Sequence, residues 1–349
     1  MTLDSTTRDA GGPSEAEADA RAALADVASL RERLVAAIAP LIVGQRQVID
    51  DMLAGMLCGG HCLLEGVPGL AKTLLVRSIA AALDLRFGRI QFTPDLMPVD
   101  ITGTEVLDTN EGVDGGRRQL RFLPGPLFCN VVLADEINRA SPKTQSALLE
   151  AMQERQVTVG GVRHPLPQPF FVLATRNPIE QEGTYPLPEG QLDRFMMMLR
   201  VTYPDRDDEL EIVRRTTAAE PLVVEPAIDG ASLAQASAVV RAMPVAEHVL
   251  AAAIDLVRAT RPGSPEAAPW IGEWVRHGCG PRASQCLVLS AKAHAALAGR
   301  PCVEVHDVFR AAPAVMRHRL VRSFAAETDG IDPETIIARL LADHELRKG

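Results

Sequence analysis

The stretch HCLLEGVPGLAKTLLVRSIAAALD, residues 61–84, constrains the fold of this chain more than any other. HCLLE is an apolar run of strand length, and Leu75, Ile79 and Leu83 recur at helical spacing further on. The eight residues GVPGLAKT, 66–73, join the two and contain the glycines of a tight turn. We therefore predict a strand, a loop and a helix in direct succession, as in α/β proteins.

The loop nearly matches a phosphate-binding pattern of a glycine, four residues, then Gly-Lys and a hydroxyl, except that Ala71 replaces the second glycine. A loop that enters a helix directs backbone N–H groups and the positive helix end at one point, as a polyphosphate requires. We expect Lys72 to reach the β- and γ-phosphates and Thr73 to bind Mg²⁺. Ala71 should cost nothing, because residues that enter a helix usually have negative φ. On this stretch alone, a strand, turn and helix without a ligand is the alternative.

Composition limits the class of protein. The 349 residues are 47% hydrophobic and 23% charged, as in ordinary globular proteins. The net charge of −9 argues against non-specific attraction to nucleic acid or anionic lipid. We see no signal-peptide pattern and no apolar run of bilayer length, and so expect no membrane insertion and a cytoplasmic location. The six cysteines form no CxxC pair, which predicts reduced, mostly buried thiols, and neither they nor the scattered histidines show the ligand spacing of a metal enzyme.

The chain divides into three parts by residue pattern. Residues 1–21 are small and polar and read as a disordered arm. Residues 22–205 alternate strand-length runs with helical stretches, which predicts an α/β core with a five-stranded parallel sheet. Residues 206–349 read as a linker and an all-helical domain. The predicted strands are 61–65, 88–93, 131–135, 170–175 and 196–201, and hairpins are expected near 104–125 and 155–170, each around a Gly pair.

Two adjacent carboxylates end one of these strands. NVVLADEIN, 130–138, carries four apolar residues into Asp135 and Glu136. Ligands of open α/β sheets bind at the carboxyl ends of the strands. One carboxylate could bind Mg²⁺ through water, and the other could orient or deprotonate an attacking water. A solvated strand end is the alternative.

Three further polar residues lie at expected element ends. Asn177 follows the strand 170–175 and could bind a water, although it could also be a turn former before Pro178. Arg194 precedes the last strand and suits a phosphoryl group, with an internal salt bridge to Asp193 or a neighbouring residue as the alternative. Arg282 lies in the first turn of a helix, where a cation opposes the helix dipole and suggests an outside anion.

The order of these parts resembles the AAA+ ATPases and, more narrowly, the MoxR family. The resemblance covers residues 35–325 or so. It rests on the phrases LIVGQRQVI, LLEGVPGLAKT, FTPDLMPVDITG, VVLADEINRASPKTQSALLEAMQERQVTV, ATRNPIEQEGTYPLPEGQLDRF, GPRASQ and VMRHRLV. The family itself carries alanine before the loop lysine, and often glutamine where this chain has Arg176.

The resemblance implies an ATPase that uses ATP and Mg²⁺ in an AAA+ core with a helical lid. Thr73 and Asp135 would bind Mg²⁺. The residues implied in catalysis are Lys72, Glu136 of the Walker B pair, Asn177 as sensor 1, Arg194 as an arginine finger that acts on the neighbouring subunit, and Arg282 as sensor 2. The implied nucleotide-binding residues are Val43, Gly44, Gly66, Val67, Pro68, Gly69, Leu70, Ala71, Lys72, Thr73, Leu74 and Asp135.

The resemblance also implies partners. It suggests a homo-oligomeric ring, with six subunits as the expected number, that acts as a chaperone with a von Willebrand factor A domain protein and a client. The two hairpins would face the ring pore. Three alternatives stay open: the ATPase subunit of a metal-chelatase-like complex, a non-hydrolysing switch, and a nucleic-acid motor. Arg117, Arg118 and Arg121 could line a basic pore in such a motor, although the acidic net charge makes nucleic acid an unlikely partner.

Overall fold

The computed structural model of the protein describes residues 15–108, 119–177, 184–218 and 223–346. The first element is a 24-residue helix, α1, Glu15–Ile38. It begins within the segment predicted to be a disordered arm, so that prediction was wrong for residues 15–21. Six of these seven residues are Glu, Ala or Arg, which have high helix propensity and outweigh the lack of apolar periodicity. Residues 1–14 of the predicted arm lie outside the described part of the chain.

The α/β core follows α1. Strand-length apolar runs become strands because both faces of the sheet are covered, and the intervening stretches with helical spacing become helices. The elements are α2 (Arg46–Leu57), β1 (Cys62–Glu65), α3 (Lys72–Ala82), β2 (Phe87–Gln91), α4 (Pro98–Thr102), β3 (Gly103–Asp108), β4 (Gln119–Pro124), β5 (Val131–Asp135), α5 (Pro142–Glu154), β6 (Gln156–Val159), β7 (Val162–Pro165), β8 (Phe171–Arg176), α6 (Glu189–Leu192) and β9 (Met197–Arg200).

The central sheet has five strands within the described residues, in the order β2-β5-β8-β1-β9, and all neighbouring pairs are parallel. This confirms the predicted five-stranded parallel sheet, and each predicted strand lies within two residues of an observed one. Successive side chains of β1 enter different clusters: Leu63 packs on one face of the sheet, and Cys62 and Leu64 pack on the other.

Two antiparallel pairs project from the core where hairpins were predicted. β3 pairs with β4, and β6 pairs with β7 around Gly160 and Gly161, which both have positive φ. Such φ values suit the tight turns that join hairpin strands. The first hairpin's Gly pair, together with Arg117 and Arg118, lies in the stretch 109–118 outside the described residues.

The C-terminal part, which we call the lid, is helical, as predicted. A short antiparallel pair of strands lies among its helices. The elements are α7 (Arg206–Thr216), α8 (Gly230–Ala242), α9 (Glu247–Ala259), α10 (Ile271–Trp274), β10 (Val275–His277), α11 (Pro281–Leu297), α12 (Val305–Met316), β11 (Val321–Arg322), α13 (Phe324–Thr328) and α14 (Pro333–Leu346).

Helix α1 joins the lid to the core. It packs against α3 on the core side and against α8 and α11 on the lid side. Its buried residues, Leu24, Val27, Leu30, Leu34 and Ile38, recur every three or four positions. One apolar cluster therefore runs from the sheet through α1 into the lid.

Across the described residues, no helix by itself has both the length and the apolar composition of a membrane span; α8 and α9 meet that test only as a pair bent by 91°.

The cysteines generate the first prediction. All six are free, four are buried and only Cys302 is exposed, which confirms the expectation of reduced, mostly buried thiols. Cys58 is half-buried, and its thiol donates a hydrogen bond to the Leu289 carbonyl (3.2 Å). Burial raises the pKa of Cys58 and Cys279 to about 12 and that of Cys129 to about 11, and it also raises the pKa values of Cys62 and Cys286.

We expect iodoacetamide at about pH 8 to modify Cys302 alone in the native protein, because the thiolate is the reactive form. After denaturation all six cysteines should react. Peptide mass spectrometry identifies the modified positions. Modification of a buried cysteine as fast as Cys302 would contradict the packing described here.

Candidate active site

Three neighbouring strands bring the candidate residues to one edge of the sheet. β5, β8 and β1 are adjacent and parallel, so their carboxyl ends lie side by side. Glu136 follows β5, Asn177 follows β8, and Gly66 follows β1. The residues that the sequence analysis selected on separate strands therefore share one site, which we call the carboxyl edge.

The phosphate loop 66–73 leads from β1 directly into α3. Ala71 has φ 53° and ψ 23°, in the left-handed region. The expectation that it would cost nothing was therefore wrong. The helix begins only at Lys72, so the turn falls on Ala71, at a cost of about 1–2 kcal/mol for a residue other than glycine.

The loop geometry fits a bound polyphosphate. α3 has no side-chain hydrogen bond at its N-cap, so no capping side chain competes with a ligand for its first N–H groups. Gly69 has φ 85°, and a Cβ added there would meet nothing within 4 Å. The Lys72 ammonium donates to the carbonyls of Gly66 and Val67 and so points back over the loop. Thr73 follows in the first turn of α3.

Asp135 is nearly buried and accepts from two side chains. Thr175 Oγ1 donates to Asp135 Oδ1 (2.6 Å), and Arg89 donates to Oδ2 from Nε (3.1 Å) and Nη2 (2.7 Å). The same Thr175 hydroxyl accepts the backbone N–H of Glu136 (2.8 Å). One buried hydroxyl thus orients both residues of the carboxylate pair. A carboxylate oxygen on a strand end is a suitable ligand for Mg²⁺, so the residues fit that ion.

Glu136 has φ 58°, a left-handed conformation that is rare outside glycine and clusters at functional sites. Its Oε2 accepts hydrogen bonds from Gln91 Nε2 (2.8 Å) and Arg139 Nη1 (2.9 Å). Arg89 Nη2 donates to Gln91 Oε1 (2.7 Å), which orients the Gln91 amide with its NH₂ toward Glu136. The side chain of Glu136 is therefore engaged by protein donors.

Sequence reasoning missed Gln91, Arg89, Arg139 and Thr175. A signal existed for Thr175, a polar residue near the end of an apolar run. Gln91 lies opposite Asp135 only because β2 pairs with β5 in this register, which the sequence does not reveal.

Asn177 is buried beside Arg176, the residue that departs from the family pattern. Arg176 lies opposite Glu65 in the β8–β1 pairing and binds it, with Nε 2.9 Å and Nη2 2.7 Å from Glu65 Oε1. Glu65 immediately precedes the phosphate loop. The extra charge is thus neutralised by a carboxylate of the neighbouring strand.

A cleft of about 390 Å³ lies next to the loop. Val43 lines it, and Gly44 follows with φ 66°. β9 supplies other walls, and a Cβ on Gly66 would lie 2.8 Å from the Val201 carbonyl just beyond β9, so loop and cleft are close. The cleft is a candidate for the adenine. It is lined by Val43, Gln45, Arg46, Gln47, Val48, Asp51, Leu199, Arg200, Thr202, Tyr203, Pro204, Asp205, Asp208 and Arg317.

Arg194 and Arg282 lie elsewhere, at the opposite edge of the sheet. Arg194 comes before β9, and the Met196 N–H beyond it donates to the His61 carbonyl at the start of β1 (2.8 Å). Arg282 Nη1 lies 3.3 Å from both the carbonyl and Oδ2 of Asp193. We call this end of the sheet the arginine edge. A four-residue strand, roughly 13 Å long, separates it from the carboxyl edge.

The alternative partner for Arg194 fails in this geometry. Asp193 binds Arg282 and Arg319, and the Arg194 side chain makes no hydrogen bond or ion pair with any described residue. Arg194 is also partly exposed. Its guanidinium is therefore available at the surface.

Known proteins share this arrangement. Residues 61–197 match the ATPase family associated with various cellular activities (AAA), and residues 270–340 match the AAA lid domain. The chain is 43% identical to Chaperone MoxR1 of Mycobacterium tuberculosis, over 89% of this chain and 80% of that protein. It is 33% identical to Protein MoxR of Paracoccus denitrificans, over 84% and 88%. The chain belongs to the MoxR family of AAA+ ATPases.

A solved structure agrees with this membership in the MoxR family. A crystal structure of a Cytophaga hutchinsonii protein described as a candidate ATPase has a TM-score of 0.84 and 39% identity, over 93% of this chain and 98% of that one. The resemblance seen in the sequence and the predicted core with a helical lid are therefore confirmed. MoxR membership implies nucleotide binding, while the roles of individual residues stay predictions.

The Gln91 contact generates a prediction. Gln91→Leu removes one of the two side-chain donors to Glu136, so the carboxylate should orient a water more readily. We expect basal ATP turnover to rise about twofold to tenfold, the rate equivalent of one hydrogen bond. A coupled assay of phosphate release measures it.

Gln153→Leu is the matched control, because Gln153 is exposed on α5. Its turnover should equal that of the unmodified protein. Unchanged or lower turnover in Gln91→Leu would show that this contact does not restrain Glu136.

Proposed function

We propose that this chain hydrolyses ATP as part of a ring of identical subunits and couples turnover to the remodelling of a client protein. The observation that carries the proposal is the division of the candidate residues between two edges of one sheet. Lys72, Glu136 and Asn177 lie at the carboxyl edge, and Arg194 lies at the arginine edge. A second copy can bring its arginine edge to the first copy's carboxyl edge.

The carboxyl edge would bind the nucleotide. The adenine would enter the cleft beside Val43 and Gly44, and the N–H groups of the loop would surround the phosphates. Thr73 and Asp135 would hold Mg²⁺, which supplies positive charge against the phosphate oxygens. Lys72 lies where it can leave the Gly66 carbonyl for the β- and γ-phosphates. These contacts fix the terminal phosphoryl group beside Glu136.

Hydrolysis then depends on a positioned water. Glu136 would orient and deprotonate it, and Asn177, one strand away, would bind the same water by its amide. Glu136 must first exchange its hydrogen bond from Gln91 for one from the water. Turnover in this scheme is therefore slow until the Gln91 contact is released.

The arginine edge would complete the site of the neighbouring subunit. Negative charge on the transferring phosphoryl group favours a guanidinium held nearby. Arg282 binds Asp193, and Arg194 is the next residue along the chain, so the two arginines lie close together. The length of one strand separates them from the carboxyl edge, so they cannot contact phosphates bound there by their own chain. We infer that both act in trans in a closed ring, for which six subunits is the number expected from the family.

The client and partner belong to the same proposal. The name Chaperone MoxR1 of the M. tuberculosis relative supports a chaperone function. A von Willebrand factor A domain protein is the partner expected from the family. The net charge of −9 counts against a nucleic-acid motor. The cytoplasmic location and the chelatase-like alternative stay predictions from the sequence.

The direct test is Glu136→Gln, which keeps the size of the side chain and removes its basicity. We expect turnover to fall by about a hundredfold or more, the contribution of a general base, while ATP affinity stays unchanged. Phosphate release and binding of a fluorescent ATP analogue measure the two quantities. Glu154→Gln, at an exposed position on α5, is the matched control and should retain full turnover. Equal turnover in Glu136→Gln would refute the assignment.

A further inference from the structure

Three consecutive residues in the turn directly after α12 bind the segment that carries Arg194. They are Arg317, His318 and Arg319, from the sequence phrase VMRHRLV. Their partners are backbone carbonyls in residues 193–198, a segment that runs from the end of α6 into β9. The lid thus contacts the core at the arginine edge through main-chain atoms, which cannot move without moving the segment itself.

Arg319 makes most of these contacts from a fully buried position, with its side chain 2% exposed. Its Nη2 donates to the carbonyls of Phe195 (2.6 Å) and Asp193 (3.2 Å), and its Nη1 donates to Met196 (3.1 Å). Its Nε donates to Asp193 Oδ1 (2.7 Å), and its Nη1 also donates to the Val315 carbonyl of α12. A buried guanidinium with these partners is costly to separate from them.

The two neighbours of Arg319 extend the contact. His318 Nε2 donates to the Phe195 carbonyl (3.1 Å), and Arg317 Nη1 donates to the Met198 carbonyl (3.0 Å). Burial lowers the pKa of His318 well below its usual value, so its imidazole is neutral. Together with those of Arg319, these hydrogen bonds hold the backbone both before and after Arg194.

Asp193 joins this contact to both candidate arginines. Its Oδ1 binds Arg319, its Oδ2 lies 3.3 Å from Arg282, and its backbone leads directly to Arg194. A rigid body motion of α11 and α12 would carry Arg282 and the segment around Arg194 together. The same physical contact would fix the distance between the two guanidinium groups.

We propose that Arg319 and Asp193 are positioning residues that hold Arg194 and Arg282 in one geometry set by the lid, so that the lid of one subunit controls hydrolysis in its neighbour. This rests on the proposed function, because it requires the arginines to act in trans. If the contact only stabilised the fold, substitution of Asp193 would impair the subunit that carries it. If the contact positions the arginines, the same substitution would lower hydrolysis in the neighbouring subunit.

The test uses full-length variants. Arg319→Ala would remove buried donors from the carbonyls of Phe195 and Met196, so we choose Asp193→Ala as the main variant. The milder Asp193→Asn replaces Asp193→Ala if that variant fails to fold. Asp193→Ala should lose about tenfold to a hundredfold in kcat, the cost of a displaced catalytic group. Its affinity for the fluorescent ATP analogue should stay unchanged.

The decisive measurement mixes Asp193→Ala with Glu136→Gln subunits at varied ratios. Each variant alone should show the reduced turnover given above. In the mixture, Glu136→Gln subunits supply well-positioned arginines to the intact carboxyl edge of Asp193→Ala subunits, so turnover should rise several-fold above either protein alone. The proposal would be overturned if turnover of the mixture never exceeded the summed turnover of the two variants measured separately. Full activity of Asp193→Ala by itself would also overturn it.

Two controls separate this proposal from the proposed function. Arg194→Ala mixed with Glu136→Gln should show the same rescue; failure of that rescue refutes the shared site itself, and the positioning proposal with it. Rescue there without rescue of Asp193→Ala refutes the positioning proposal alone. Glu266→Gln alters another arginine–carboxylate pair, Arg258 Nε to Glu266 Oε1 at 2.7 Å, within the lid. It should keep normal turnover.

Discussion

The parallel direction of the strands is the constraint on which the rest of the structure depends. Since β1, β5 and β8 run the same way, the phosphate loop, the carboxylate pair and Asn177 meet at one edge. Since β9 also runs that way, the residues before it lie at the opposite edge, and Arg194 is among them. The same geometry that assembles the candidate nucleotide site in one chain places its two candidate arginines at the opposite edge, which is why we propose that a second chain completes the site.

The lid contacts β9 along its whole length. At the start of the strand, Arg319 and His318 bind the carbonyls around Arg194. At its end, Arg200 lies between Glu65, which precedes the phosphate loop, and Glu334 of α14, at 3.6 and 3.2 Å. Both edges of the sheet are therefore connected to the lid through one strand. A change in lid position can therefore be transmitted both to the phosphate loop and to the segment that carries Arg194.

The sequence predicted the elements better than their contacts. The strands were predictable because a parallel sheet buries continuous apolar runs, and the loop and Asp135–Glu136 because ligand chemistry restricts the residue types. The left-handed conformation of Ala71 was not predictable, since it depends on where α3 begins. The partners Gln91–Glu136, Arg176–Glu65 and Arg319–Asp193 depend on strand register and lid docking, which join residues 45, 111 and 126 positions apart. Arg282 was placed correctly in the first turn of α11, but its closeness to Arg194 emerged only from the fold.

We propose that one active site is built by two chains. The sharpest test is ATP turnover per subunit, measured against protein concentration for the unmodified protein and for Arg194→Ala. If two chains share the site, specific activity should rise with concentration as subunits associate, and Arg194→Ala should be inactive even when it assembles. Specific activity that is independent of concentration, together with full activity of Arg194→Ala, would contradict it and leave each chain with a complete site of its own.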